Sequence, residues 1–170
     1  LFDENFGLED INLLTTGTSS ADEIQPSHAL MVLGELGGNP IEAMSAHGTC
    51  NAAMTSLKYA RMAIQTGDVE NAVCAGSETL GSWMLAQNFD PEIDKRKEIE
   101  ENPFIGFEKD FIRWMLSDGA AAVLLQDKPN PDGLSLKFDW IEIVSFANEL
   151  ETCMYAGAEK NPDGTTTGWK

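Results

Sequence analysis

Apolar positions fall into short runs divided by glycine and polar turns, and their spacing switches between strand and helix periods along the chain. Residues 11–16 are a β-branched and apolar run that breaks into Gly17-Thr18-Ser19-Ser20, the pattern of a buried strand delivering the chain to a loop. Pro26 suits a first helical turn, Ala29, Leu30, Val32, Leu33 and Leu36 make an apolar stripe, and Gly37-Gly38 supplies the stop. A second strand is expected over residues 41–45, followed by a tight turn, Ala46-His47-Gly48-Thr49-Cys50, into a helix rich in small residues. In that helix Ala53, Leu57, Ala60 and Ile64 share one face while Ala52, Met62 and Ala63 widen the apolar surface, which predicts burial on nearly all sides. Gly67-Asp68 ends it, and residues 71–76 read as a strand of small residues suited to close backbone approach. Strand, helix, strand, helix, strand favours a parallel sheet with helical crossovers.

The pattern then changes. Residues 90–101 hold six acids, three bases and few apolar side chains, which marks a solvated insertion where Glu92 and Arg96 are spaced to pair on an exposed helix. Residues 111–116 lead through Ser117-Asp118-Gly119 into residues 120–125, expected as a strand pair or as a turn feeding one buried strand. After the turn Asn130-Pro131-Asp132-Gly133, the alternation of Leu136, Phe138, Trp140 and Ile143 predicts one long strand over residues 134–146. The tail through Asn161-Pro162-Asp163-Gly164 has little to bury.

At 170 residues the chain has room for one domain or for half of a larger one. Its formal charge of −17 disfavours nonspecific contact with nucleic acid phosphates, and no run approaches the ~20 apolar residues of a membrane span. Three cysteines, odd in number and without CxxC spacing, encode neither a disulfide framework nor a zinc ribbon, and a reducing cytoplasm suits them. The start at Leu1, with no secretory signal pattern, reads as a cut inside a longer protein.

Among candidate chemical groups Cys50 stands out. It lies between a glycine turn and a helix start, where unpaired backbone N–H groups and the helix dipole favour the thiolate, the reactive form of a cysteine nucleophile. His47 falls in the turn outside the helix and is not expected to act as its base, while His28 reads as a helix-surface residue. Glu78 reads as a structural, hydrogen-bonding carboxylate rather than an acid catalyst. His47, Cys50 and Cys74 lack a fourth ligand and any standard metal spacing, and Gly34-Glu35-Leu36-Gly37-Gly38 is neither a dinucleotide fingerprint nor a P-loop.

Three segments, TTGTSS, SAHGTCNAAMTSLKYARMAIQTGDVENAVCAGSETL and MLSDGAAAVLL, resemble in order and spacing the N-terminal half of β-ketoacyl-acyl-carrier-protein synthase III enzymes of the thiolase superfamily. The resemblance covers roughly residues 11–126 and implies an α/β, thiolase-like layered fold of which this is one half, with a mixed, mainly parallel sheet and a buried central helix. Residues 1–126 are then most of an N-terminal half, truncated at its start, and residues 127–170 a linker and the opening strand of a C-terminal half. It also implies that Cys50 is the acyl-accepting nucleophile of a decarboxylative Claisen condensation in fatty-acid or related lipid or polyketide synthesis. The substrates are acyl-CoA or acyl-carrier-protein thioesters and a malonyl thioester, with no cofactor and no metal, in a cytoplasmic homodimer. The His and Asn that stabilise the enolate in the family have no matching motif after Leu125, so this chain alone is expected not to condense. Thr49, Asn51 and Ser117 depart from the family's usual residues at those positions. Two other readings keep the fold: a noncatalytic module that binds acyl groups or dimerises, which suits the acidic charge, and a thiolase or hydroxymethylglutaryl synthase relative that uses the same cysteine without decarboxylation.

Overall fold

The strand β1 (Leu13–Thr18) is buried at every position because it is covered on both faces and both edges. It is one of the two inner strands of a sheet ordered β2-β1-β3-β4, with β2 (Glu42–His47) and β3 (Asn71–Glu78) parallel to it and β4 (Gly119–Gln126) antiparallel to β3. The computed structural model describes residues 6–87, 96–104, 106, 114–152 and 159–167. Helix α1 (His28–Leu36) links β1 to β2, and α2 (Ala52–Thr66) links β2 to β3 on the far side of β1. Two right-handed crossovers that step in opposite directions along a sheet place their helices on opposite faces. The packing agrees: Leu13, Ala72, Cys74 and Leu125 meet Leu57, Ala60 and Ala63 of α2, while Leu14 and Val73 meet Val32 and Leu33 of α1.

The mixed, mainly parallel sheet is therefore present, and β1 and β3 run two residues beyond their expected ends at 16 and 76. Gly17 is a strand residue, paired with Ala46 and Gly76, and not the start of a loop. A Cβ there would stand 2.3 Å from the backbone nitrogen of Ala53, so its missing side chain is what admits the first turn of α2.

Three expectations need correction. Helix α2 is buried on one face only: Ala52, Ser56, Leu57, Ala60 and Ala63 lie on the sheet, whereas Met54 and Met62 are 45% and 52% exposed. One sheet covers one stripe of a helix, and among the described residues no second layer covers the other. Strand β4 is not buried, apart from Leu125 and partly Leu124, because it is an edge strand with α2 over only its far end. The long strand expected over residues 134–146 is absent; alternation predicts a strand only where a neighbouring edge is free to pair, and these residues pair with none. Ile141 packs on the α2 cluster and Arg61 donates to the Asp139 carbonyl at 2.9 Å, which tethers the segment without a ladder.

An exposed helix α3 (Arg96–Glu101) lies in the acidic stretch, while Glu92 falls outside the described residues, as do 111–113 of the segment expected before β4. The turn at 161–164 is flanked by a minimal hairpin, β5 (Glu159–Lys160) and β6 (Thr166–Thr167). Among the described residues no helix is long and apolar enough to cross a membrane.

Candidate active site

Strand order 2-1-3 makes the carboxyl ends of β1 and β3 a point where successive connections depart in opposite directions, the place where open α/β sheets leave a crevice for ligands. Cys50 is at this edge. Strand β2 ends at His47, Gly48 takes φ 153°, a backbone region open in practice to glycine, and the chain turns through Thr49 and Cys50 to the N-cap Asn51. Cys50 thus stands one residue outside the N-cap, exposed, and not within the first helical turn.

No side chain caps α2: Asn51 makes no capping hydrogen bond and the first turn carries no acid. The local turn is closed by backbone, with Ala52 N–H donating to Thr49 at 3.0 Å and Thr55 N–H to Asn51 at 2.9 Å. The first turn of α2 therefore carries no anion of its own, and the positive end of the helix favours negative charge developing on sulfur or on a bound carbonyl.

The floor beneath is built of small residues. Gly17 and Gly76 are paired across β1 and β3, and Ala53 rests on both, its Cβ 2.9 Å from where a Gly76 side chain would begin. Cys74 lies buried under the helix, with Sγ 3.3 Å from Ser56 Oγ, and is shielded from reagents that reach Cys50.

Polar groups line the same edge. Glu78, the last residue of β3, accepts the Ser19 N–H at 2.8 Å on Oε1 and the Ser20 hydroxyl at 2.6 Å on Oε2. Ser20 Oγ in turn accepts the Thr79 N–H at 2.8 Å, and Ser20 N–H donates to Thr18 Oγ1 at 3.0 Å. Burial pushes the Glu78 carboxyl up, but the hydrogen bonds from Ser20 and Ser19 outweigh it and hold the group below the ordinary glutamate range. Next to this loop Asp118 Oδ1 accepts the N–H groups of Leu80 at 2.6 Å and Gly81 at 2.9 Å, joining the end of β3 to the start of β4.

The two histidines differ from their sequence reading. His47 is the exposed last residue of β2, in the strand and not in the turn. His28 is no simple surface residue: it is half-buried at the start of α1, with Nε2 2.8 Å from Ser77 Oγ of β3. A hydrogen bond across 49 residues leaves no local signal in the sequence; only the shared end of the sheet brings the pair together. Cys153 lies outside the described residues. Among the described residues no group of three His, Cys, Asp or Glu side chains is placed to hold a metal. An open depression of about 500 Å³, lined by Glu9, Asn12, Asn39, Pro40 and Glu42 among others, is at the amino ends of the strands and contains no nucleophile.

Sheet order, crossover helices and an exposed cysteine at the switch-point edge define a piece of a thiolase-like fold. No family model matches the chain. It is similar to β-ketoacyl-[acyl-carrier-protein] synthase III of Clostridium perfringens, 35% identical over 72 residues that cover 42% of this chain and 22% of that protein. Among solved structures it is similar to 3-oxoacyl-(acyl carrier protein) synthase III, FabH, from Xanthomonas oryzae pv. oryzae. There the TM-score is 0.58 and identity 24%, over 71% of this chain and 34% of that one. It also matches a cysteine-to-serine variant of Xanthomonas campestris OleA with bound lauric acid and lauroyl-CoA, at TM-score 0.53 and 25% identity, over 72% of this chain and 35% of that one. The chain spans about a fifth of the curated relative and about a third of each solved structure.

Proposed function

We propose that this chain carries the acyl-accepting part of a type III 3-oxoacyl synthase. Cys50 Sγ attacks the carbonyl carbon of an acyl thioester of coenzyme A or of acyl carrier protein, and the carrier leaves as a thiol. A malonyl thioester then loses carbon dioxide, and its carbanion attacks the acyl carbon, releasing Cys50 and a 3-oxoacyl thioester. No cofactor or metal enters this sequence of steps. The observation that carries the reading is the exposed thiol at the carboxyl edge of the sheet, immediately ahead of a helix whose positive end no side chain caps. In the whole protein we expect a cytoplasmic homodimer.

Intact-mass spectrometry of the chain after exposure to acetyl-CoA and decanoyl-CoA tests the first step. An acyl adduct on the wild type, absent from Cys50→Ser, is expected; no adduct at Cys50 from any thioester would sink the reading. Addition of malonyl-CoA tests the second. Loss of one preorganised oxyanion donor costs about 10²–10³ in rate, and the family's His and Asn are both without counterpart here. Residues 1–170 are therefore expected to hold the acyl group without yielding a 3-oxoacyl product.

A further inference from the structure

Helix α2 runs antiparallel to β3, and the contacts between them form a ladder. Ser56 meets Cys74; three residues earlier on the helix, Ala53 meets Gly76, two residues further along the strand. Glu78 lies two residues further along the strand than Gly76, toward the end of α2 that Cys50 precedes. Alternation along the strand gives the same placement independently, because Cys74, Gly76 and Glu78 share one face of the sheet, the face that α2 covers. Glu78 and Cys50 therefore come to the same side of the same sheet edge.

The carboxylate at that place is already engaged. One oxygen takes the Ser19 N–H and the other the Ser20 hydroxyl, so the chain just after β1 is held at two successive residues by a side chain 58 and 59 positions away. The contact of Gly17 with Ala53 ties this loop to the cysteine turn: Ser20 lies three residues past Gly17, and Cys50 three residues ahead of Ala53. Ser20 also caps the strand end opposite by accepting the Thr79 N–H.

We propose that Glu78 is a positioning residue for acyl transfer to Cys50: it clamps the Ser19–Ser20 loop into a fixed wall at the mouth of the site, against which the thioester is aligned on the sulfur. This rests on the acyl-transfer reading above. Glu78 neither gains nor loses a proton in the step; the thioester carbon bonds to Sγ, the carrier sulfur leaves, and the proton of the Cys50 thiol ends on the carrier. Misplacement of a reacting group by about 1 Å can cost on the order of a hundredfold in rate, and a loosened wall costs less than a displaced nucleophile.

The test compares two reactions at the same sulfur. Acylation of Cys50 by decanoyl-CoA needs the wall; alkylation by iodoacetamide, a small reagent, does not. Glu78→Gln, which keeps one acceptor oxygen but sets an NH2 group against the other donor, is expected to slow acylation about tenfold with the alkylation rate unchanged, and Glu78→Asp to recover part of the loss. Ser20→Ala removes one arm of the clamp and is expected to show the same selectivity, more weakly. Normal acylation of both Glu78→Gln and Ser20→Ala alongside an acylated wild type overturns the proposal and leaves the acyl-transfer reading standing. Equal slowing of acylation and alkylation also overturns it, by showing a general effect on the sulfur or the fold. A wild type that alkylates at Cys50 but takes no acyl group overturns the acyl-transfer reading itself.

Discussion

Strand β1 is less apolar than the stretch 134–146, yet Leu13 and Leu14 are fully buried while Leu134 and Trp140 are 90% and 76% exposed. The difference lies in what surrounds them. β1 has a hydrogen-bonded neighbour on each edge and a helix on each face. Residues 134–146 have the tether to Arg61 and the packing of Ile141, and no strand beside them. Apolar character is a demand for cover, and the fold answers it only where topology brings a partner.

The sharpest test of this contrast is truncation inside the covered region. Leu13→Ala removes a fully buried side chain packed between α2 and the sheet, and a loss of about 2–5 kcal/mol is expected from urea unfolding. A loss below about 1 kcal/mol would mean that the α2 cluster does not hold the sheet together. Gly17→Ala comes next. Its Cβ would press on the Ala53 backbone, which cannot swing aside as a flexible side chain could, so about 1–3 kcal/mol of destabilisation is expected. The same change at Gly34, in the middle of α1 with nothing near its Cβ, is expected to stabilise by up to about 1 kcal/mol. Equal melting temperatures for these two variants would contradict the close approach of α2 to β1.

How much of this was legible beforehand follows the same line. β1, α1, β2, α2 and β3 were readable from residues 11 to 76 because each element's period is local and each finds cover. The errors came at Gly17, where a glycine read as a loop signal serves close packing, and at Met62, whose apolar character wrongly implied a second covering layer. Cys50 was legible as a turn-to-helix cysteine, though it sits one residue further out than expected. Glu78 read correctly as a hydrogen-bonding carboxylate, but its partners Ser19 and Ser20 were not, since nothing at residue 78 encodes a contact with residue 20.

A smaller effect is expected from pH. Glu78 titrates below its unfolded range when folded, so its contribution to stability is present above the ordinary glutamate range and is lost as pH falls through the lowered folded value. The melting temperature of the wild type should exceed that of Glu78→Gln near neutrality, and the gap should close in acid. A gap that stays constant from neutral pH to pH about 3 would show that the clamp does not depend on the charge of Glu78.

The least effect is expected in the uncovered stretch. Leu134 is 90% exposed, so replacing it removes almost no buried surface from the folded chain, and the transfer energy that makes a core leucine costly to delete is not at stake. Surface changes away from caps and networks usually fall within about 0.5 kcal/mol, and Leu134→Ser is expected to do so in the same urea titration that reads Leu13→Ala. The pair thus measures two leucines whose residue type is identical and whose surroundings differ. If Leu134→Ser instead costs as much as Leu13→Ala, the stretch is covered in solution by something other than the described residues. Sedimentation of the wild type at micromolar and tenfold lower concentration then decides whether that cover is a second copy of the chain, because a copy dissociates on dilution and an intramolecular contact does not.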